Sequence, residues 1–206
     1  AQESDKEGQD AQGGAVVVME CKTGKILACA SYPTYNLTTM HEDWAEIEAN
    51  EYNPFFNRAF GAEYPPGSTF KMCTLTAAME NDLLDYEEKI TDKGEFTEYA
   101  GFAPQCLLYS SVPGATHGDI DATDALKVSC NYFFYEMGRR LGIDAVNSYL
   151  KQFGLGEKTG VEVYESKGIR DDAKSGWFAG NTLQVAIGQH NAFTPIQICS
   201  ATATIA

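Results

Sequence analysis

Hydrophobic and polar positions change their spacing along the chain, and each change marks an element. Residues 15–20 and 25–31 are rich in Val, Ile, Ala and Cys and are separated by Lys22-Thr23-Gly24, so they predict a β-hairpin with its turn at that triplet. Val16 to Met19 is too continuously apolar for a ribbon wetted on both sides, which predicts helices over at least one face. Residues 34–60 are irregular apart from a short helical pattern over 44–49, with a break at Asn53-Pro54. A helical stretch over 68–81 follows, with Met72, Leu75, Ala78 and Met79 on one face. Residues 83–99 are charged and connecting, and residues 101–118, with two prolines and three glycines, predict a long surface loop. Asp121 opens a helix that runs to Cys130-Asn131 or restarts there, residues 131–141 form a strongly apolar helix, and 144–153 form another. Residues 154–175 read as a loop or short hairpin. At the end Thr194 suits a helix cap and Pro195 the first helical position, followed by Ile196, Ile198, Ala201 and Ile205. The expected class is α+β, mostly helical with one N-terminal hairpin. Residues 1–12 lack apolar side chains and are expected to be a disordered tail or linker, with one folded region over 13–206.

Composition excludes several functions. With 206 residues and a formal net charge of −14, and no cluster of Lys and Arg, the chain carries none of the basic surface that nucleic acid demands. No apolar run approaches the roughly 20 residues that span a bilayer, and the N-terminus lacks a signal-peptide pattern. The six cysteines (Cys21, Cys29, Cys73, Cys106, Cys130 and Cys199) include no Cys-x-x-Cys, and the three histidines (His41, His117 and His190) are far apart, so neither a metal nor a cofactor is expected. The cysteines are read mainly as small buried hydrophobes, with a Cys106–Cys130 bridge as the alternative.

The candidate chemistry gathers at Tyr64-Pro-Pro-Gly-Ser-Thr-Phe-Lys71. The prolines and Gly67 set a tight turn, Ser68 starts a helix, and one turn later Lys71 returns beside it. A serine becomes a nucleophile when a base takes its proton, and a lysine serves if burial leaves it neutral. Helix N-terminal N–H groups also favour developing negative charge. Ser148-x-x-Lys151 repeats the spacing within an amphipathic pattern and reads as helix surface. Ser129-Cys130-Asn131 lies where one helix gives way to the next. A hydroxyl there can relay a proton and an amide can hold a carbonyl or the lysine, while either residue equally suits a cap of the helix that begins at Tyr132.

Together these residues resemble the transpeptidase domain of penicillin-binding proteins of the class B, monofunctional kind. The resemblance rests on Pro-Gly-Ser68-Thr-Phe-Lys71 and on Ser129-Cys-Asn131 followed by Tyr-Phe-Phe-Tyr135. It extends through the opening hairpin, Asn57-Arg58-Ala59, His117-Gly118, Phe153-Gly-Leu-Gly156 with Thr159-Gly160, and Ala186-Ile-Gly-Gln189 before Thr194-Pro195. It implies a serine β-lactamase-like fold of which the helical part is present, and a D,D-transpeptidase acylated at Ser68 by D-alanyl-D-alanine stem peptides and by β-lactams. Lys71 is implied as general base, Ser129 as proton relay, Asn131 as orienter, and Asn131 and Gly67 as substrate-binding. The implied partners are peptidoglycan stem peptides, β-lactams and other membrane cell-wall synthesis proteins. The implied location is the extracytoplasmic face of the bacterial membrane, held by a segment upstream of Ala1.

The family's third motif is the departure. Lys22-Thr23-Gly24 is a hairpin tip, and Lys158-Thr159-Gly160, 27 positions after Asn131, belongs to the Gly-Leu-Gly-x-x-Thr-Gly loop. The true triplet is expected on a strand beyond Ala206, together with the rest of a five-stranded sheet, so the chain alone is expected to be inactive. A β-lactamase or β-lactam sensor of the same superfamily, or a non-catalytic interaction module, are the competing readings.

Overall fold

The computed structural model describes residues 11–170 and 177–206; most of the predicted N-terminal tail and part of the predicted 154–175 loop lie outside the described residues. The chain divides into two compact units. One holds the chain through Tyr64 with Gly154–Gly168 and Phe193–Ala206, and the other holds Pro65–Phe153 and Ile169–Ala192.

The first unit is built on the expected hairpin. Strands β1 (Gly14–Met19) and β2 (Ile26–Tyr32) pair antiparallel, Gly14 opposite Tyr32, with a register shift at Met19. The turn closes through Thr23 and Gly24 N–H groups on the Glu20 carbonyl, so the first Lys-Thr-Gly is indeed a hairpin tip. Alternation sends Ala15, Val17 and Met19 against buried Ala59, Phe60 and Ile196, while Val16 and Leu27 stay over 60% exposed. The covering helices are α2 (Arg58–Gly61), capped by Asn57, and α8 (Pro195–Ile205). Helix α1 (Trp44–Ala49) matches the sequence reading, and Trp44 packs on Phe55. At α8, Thr194 and Gln197 form a capping box with Pro195 in the first turn. Buried Gln197 also donates to the Glu157 and Lys167 carbonyls at 2.7 and 2.8 Å, which ties down the chain on either side of the 158–160 triplet.

In the second unit a 3₁₀ turn, Gly67–Phe70, leads directly into α3 (Lys71–Glu80), where a single helix from Ser68 was expected. Helix α3 packs on α6 (Asn131–Gln152), and α6 packs on α7 (Ala179–Ala186). The two helices predicted over 131–153 are present as the two arms of α6, separated by a kink at Gly142, where φ of 70° and ψ of 165° are not helical. Four elements were missed. Strands β3 (Ile90–Asp92) and β4 (Gly118–Ile120) pair antiparallel, and α4 (Leu107–Ser111) occupies the predicted loop. Helix α7 is the fourth, and its cap residue Phe178 offers no side-chain hydrogen bond. Helix α5 (Ala122–Lys127) opens on Asp121, which accepts from the Asp124 N–H as expected.

Candidate active site

The reactive turn begins where Gly67, at φ +56°, redirects the chain out of Pro66. Ser68 is exposed on the 3₁₀ turn, and the Lys71 N–H donates to the Ser68 carbonyl, so the two residues are held one turn apart. The side chain of Lys71 points the other way in polarity terms: it is buried, 1% exposed, at the first position of α3.

Its amine finds its partners far along the chain. Lys71 Nζ donates to the Ser129 carbonyl at 2.8 Å and to Asn131 Oδ1 at 2.6 Å, and it lies 3.0 Å from Ser129 Oγ. The Phe134 ring lies 5.3 Å away across its centroid. Burial pushes the amine's pKa down from 10.5 to about 8, so an appreciable neutral fraction exists near neutral pH. An ammonium can use all three contacts as a donor. A neutral amine keeps the two carbonyl bonds and turns its lone pair toward a hydroxyl.

Ser129 is held in the left-handed region, φ +54°, between α5 and α6. Neither Ser129 nor Asn131 caps α6: Cys130 occupies that position and makes no side-chain cap bond. The capping alternative thus gives way to contact with Lys71. Five of the residues singled out in the sequence, Gly67, Ser68, Lys71, Ser129 and Asn131, fall in one unit. The Ser148-x-x-Lys151 repeat lies on the exposed face of α6.

The Lys158-Thr159-Gly160 triplet is chemically occupied. Thr159 N–H and Oγ1 and the Gly160 N–H donate to the buried Glu165 carboxylate at 2.7 to 2.9 Å, and those bonds hold that acid below its ordinary range against the opposing effect of burial.

Scatter along the chain does not carry over into space for the cysteines. Asp92, Cys106, His117 and Cys130 bring one ligand atom each within 4.8 Å of one another. Two thiols, an imidazole and a carboxylate form a donor set that suits four-coordinate Zn²⁺, which corrects the expectation that these residues are too dispersed to hold a metal. Cys106 Sγ and Cys130 Sγ are 3.8 Å apart and both are free, well beyond a bonded pair of about 2.05 Å. Burial opposes ionisation of Asp92, but N–H donors from His117 and Gly94 outweigh it and hold the carboxyl low. Cys21 and Cys29 are exposed, contrary to the reading of the cysteines as mostly buried. Of this cluster only Asp92 had no role in the sequence reading; its signal, a carboxylate in a charged connecting stretch, is indistinguishable there from a solvated side chain.

The model of the penicillin-binding protein transpeptidase domain matches residues 14–206, and the chain belongs to that family. It is 34% identical over 208 residues to a peptidoglycan D,D-transpeptidase MrdA of Acinetobacter baumannii, covering 94% of this chain and 30% of the relative. Among solved structures, PBP2 of Helicobacter pylori in complex with MreC superposes with a TM-score of 0.84 at 30% identity, covering all of this chain and 40% of that one. Penicillin-binding protein A of Mycobacterium tuberculosis, as an imipenem acyl-enzyme, gives 0.80 at 29% identity, covering 93% and 45%. The chain thus spans less than half the length of these relatives. The α+β architecture, helical with small sheets, is that of the transpeptidase neighbours. Among the described residues no helix is long and apolar enough to cross a membrane.

Proposed function

We propose that the protein carrying this chain is a serine D,D-transpeptidase of the class B penicillin-binding kind, working on peptidoglycan stem peptides at the extracytoplasmic face of the membrane. One observation carries the reading: a buried lysine of lowered pKa whose amine meets a second hydroxyl and an amide, with an exposed serine one turn before it.

The steps follow from those positions. Neutral Lys71 takes the Ser68 Oγ proton as the oxygen bonds to the penultimate D-alanine carbonyl carbon, and the Ser68 N–H supports the oxyanion. Collapse breaks the C–N bond, and the proton held by Lys71 passes through Ser129 Oγ to the departing D-alanine amine. An acyl-enzyme is left. An amine of a neighbouring peptide then attacks the ester carbonyl, its proton returns through the same relay, and Ser68 Oγ is reprotonated as the new amide leaves. Asn131 fixes the lysine through Oδ1 and orients the incoming peptide, and Gly67 lets the substrate backbone approach. A β-lactam acylates the same oxygen, in line with the imipenem acyl-enzyme of the mycobacterial relative. The complex of the Helicobacter relative with MreC supports an assembly with other cell-wall proteins.

The test is covalent labelling of the longest polypeptide the gene encodes with a fluorescent penicillin. Stoichiometric labelling that disappears in Ser68→Ala supports the reading. Labelling of Ser68→Ala at the wild-type rate overturns it.

A further inference from the structure

The turn that delivers Ser68 is itself held from behind by a residue with no place in the mechanism. Gly188 follows the end of α7, closed into its turn by its own N–H on the Val185 carbonyl at 2.8 Å and by the Gln189 N–H on the Gln184 carbonyl at 2.9 Å. The Gly188 carbonyl accepts the Gly67 N–H at 2.9 Å. The two backbones approach so closely that a Cβ on Gly188 would fall 2.0 Å from the Gly67 oxygen and 2.7 Å from its nitrogen and carbonyl carbon. Gly188 also sits at φ +81°, where a side chain is strained whatever the space. A second tie lies two residues upstream: buried Thr74 of α3 donates its hydroxyl to the Ala186 carbonyl at 2.8 Å. The end of α7 therefore grips the nucleophile's element at two points, one immediately before Ser68 and one within α3.

We infer that Gly188, through the backbone of Gly67, is a positioning residue that sets where the Ser68 oxygen and N–H stand relative to the reacting carbonyl; this rests on the acyl-transfer reading above. The physical argument is a distance. Real Cβ atoms essentially never come within 3.0 Å of another heavy atom, so a methyl group at Gly188 displaces the Gly67 carbonyl, or Gly188 itself, by about 1 Å. A misplacement of that size is worth on the order of 100-fold in the chemical step, with little effect on initial binding.

The experiment follows fluorescent penicillin acylation in the longest polypeptide the gene encodes, separating the acylation rate k2 from the binding constant Ks. Gly188→Ala is expected to lower k2 by about 100-fold with Ks within about threefold. Gly142→Ala is the control: it too stands at positive φ, +70°, in the same unit, but its Cβ meets nothing within 4 Å, so it carries backbone strain without reaching the turn. Its k2 is expected to stay near wild type. Thr74→Val is expected to lower k2 by about tenfold and Thr74→Ser to restore it, and this pair decides the matter if Gly188→Ala does not fold. Wild-type k2 in Gly188→Ala, an equal loss in Gly142→Ala, or a Thr74→Val defect that Thr74→Ser fails to rescue would each overturn the inference. Labelling that survives Ser68→Ala overturns the acyl-transfer reading itself. Labelling lost in Ser68→Ala but untouched in Gly188→Ala overturns only the positioning role.

Discussion

Lys71 Nζ lies 3.0 Å from Ser129 Oγ across 58 residues of chain. That contact joins the first turn of one helix to the residue that separates two others, and it gives a buried amine a hydroxyl through which its proton can leave.

Removing the amine isolates its role. Lys71→Met fills a similar volume without charge and is expected to lower the acylation rate by about 1,000-fold while leaving the fold intact. Its melting temperature is expected to equal or exceed that of the wild type, because the buried amine is a cost to folding. Rate and thermal melt together check this; a variant that melts normally and acylates normally contradicts the assignment of Lys71 as base.

The pH dependence has a definite sign. Because burial lowers the Lys71 pKa to about 8, the acylation rate is expected to rise with pH and reach half its plateau near that value. The unfolded chain keeps the same proton up to 10.5, so unfolding takes up a proton between about 8 and 10.5 and stability from this group increases across that window. Asn131→Asp places a carboxylate where Oδ1 now stands, 2.6 Å from Nζ, and is expected to move the midpoint upward by holding the ammonium. A midpoint that does not move argues against this pairing.

For the Asp92, Cys106, His117 and Cys130 cluster, the expected response is to zinc. Zinc at one hundred times its Kd is expected to stabilise the folded state by about 2.7 kcal/mol and to shield the two thiols from a thiol reagent, and Cys106→Ser is expected to lose most of both effects. Cys130 stands between Ser129 and Asn131, so an ion here fixes the residues that touch Lys71. Unchanged melting and unchanged thiol reactivity would show that the four side chains hold one another and no ion.

Gln197 carries a purely structural expectation. Its amide satisfies two loop carbonyls and completes the α8 cap, so Gln197→Ala leaves two part-buried acceptors and the buried cap N–H without their partner and is expected to cost about 2 kcal/mol. Thermal denaturation should register a fall of roughly 5 °C.

What could be read from the sequence was whatever is encoded by neighbours in the chain. The hairpin announces itself by composition around Lys22-Thr23-Gly24, α8 by Thr194 and Pro195, and the Ser68–Lys71 pair by helical spacing. The contact of Lys71 with Ser129 and Asn131 was legible only through resemblance, since no local rule brings together residues 58 positions apart. Strands β3 and β4 were hidden because three-residue strands leave no alternation to detect, and α7 because its N-terminal residue offers no cap. The metal-capable cluster draws one residue each from four separate stretches. The role of Gly188 depends on how near another backbone comes, which no spacing records.

Thr159 and Gly160 show what a three-letter signature leaves out. Their donors already face Glu165, so a substrate arriving there would have to displace an internal anion before it could be recognised. In this chain a string such as Lys-Thr-Gly acquires meaning only from which of its amides are still open to a visitor.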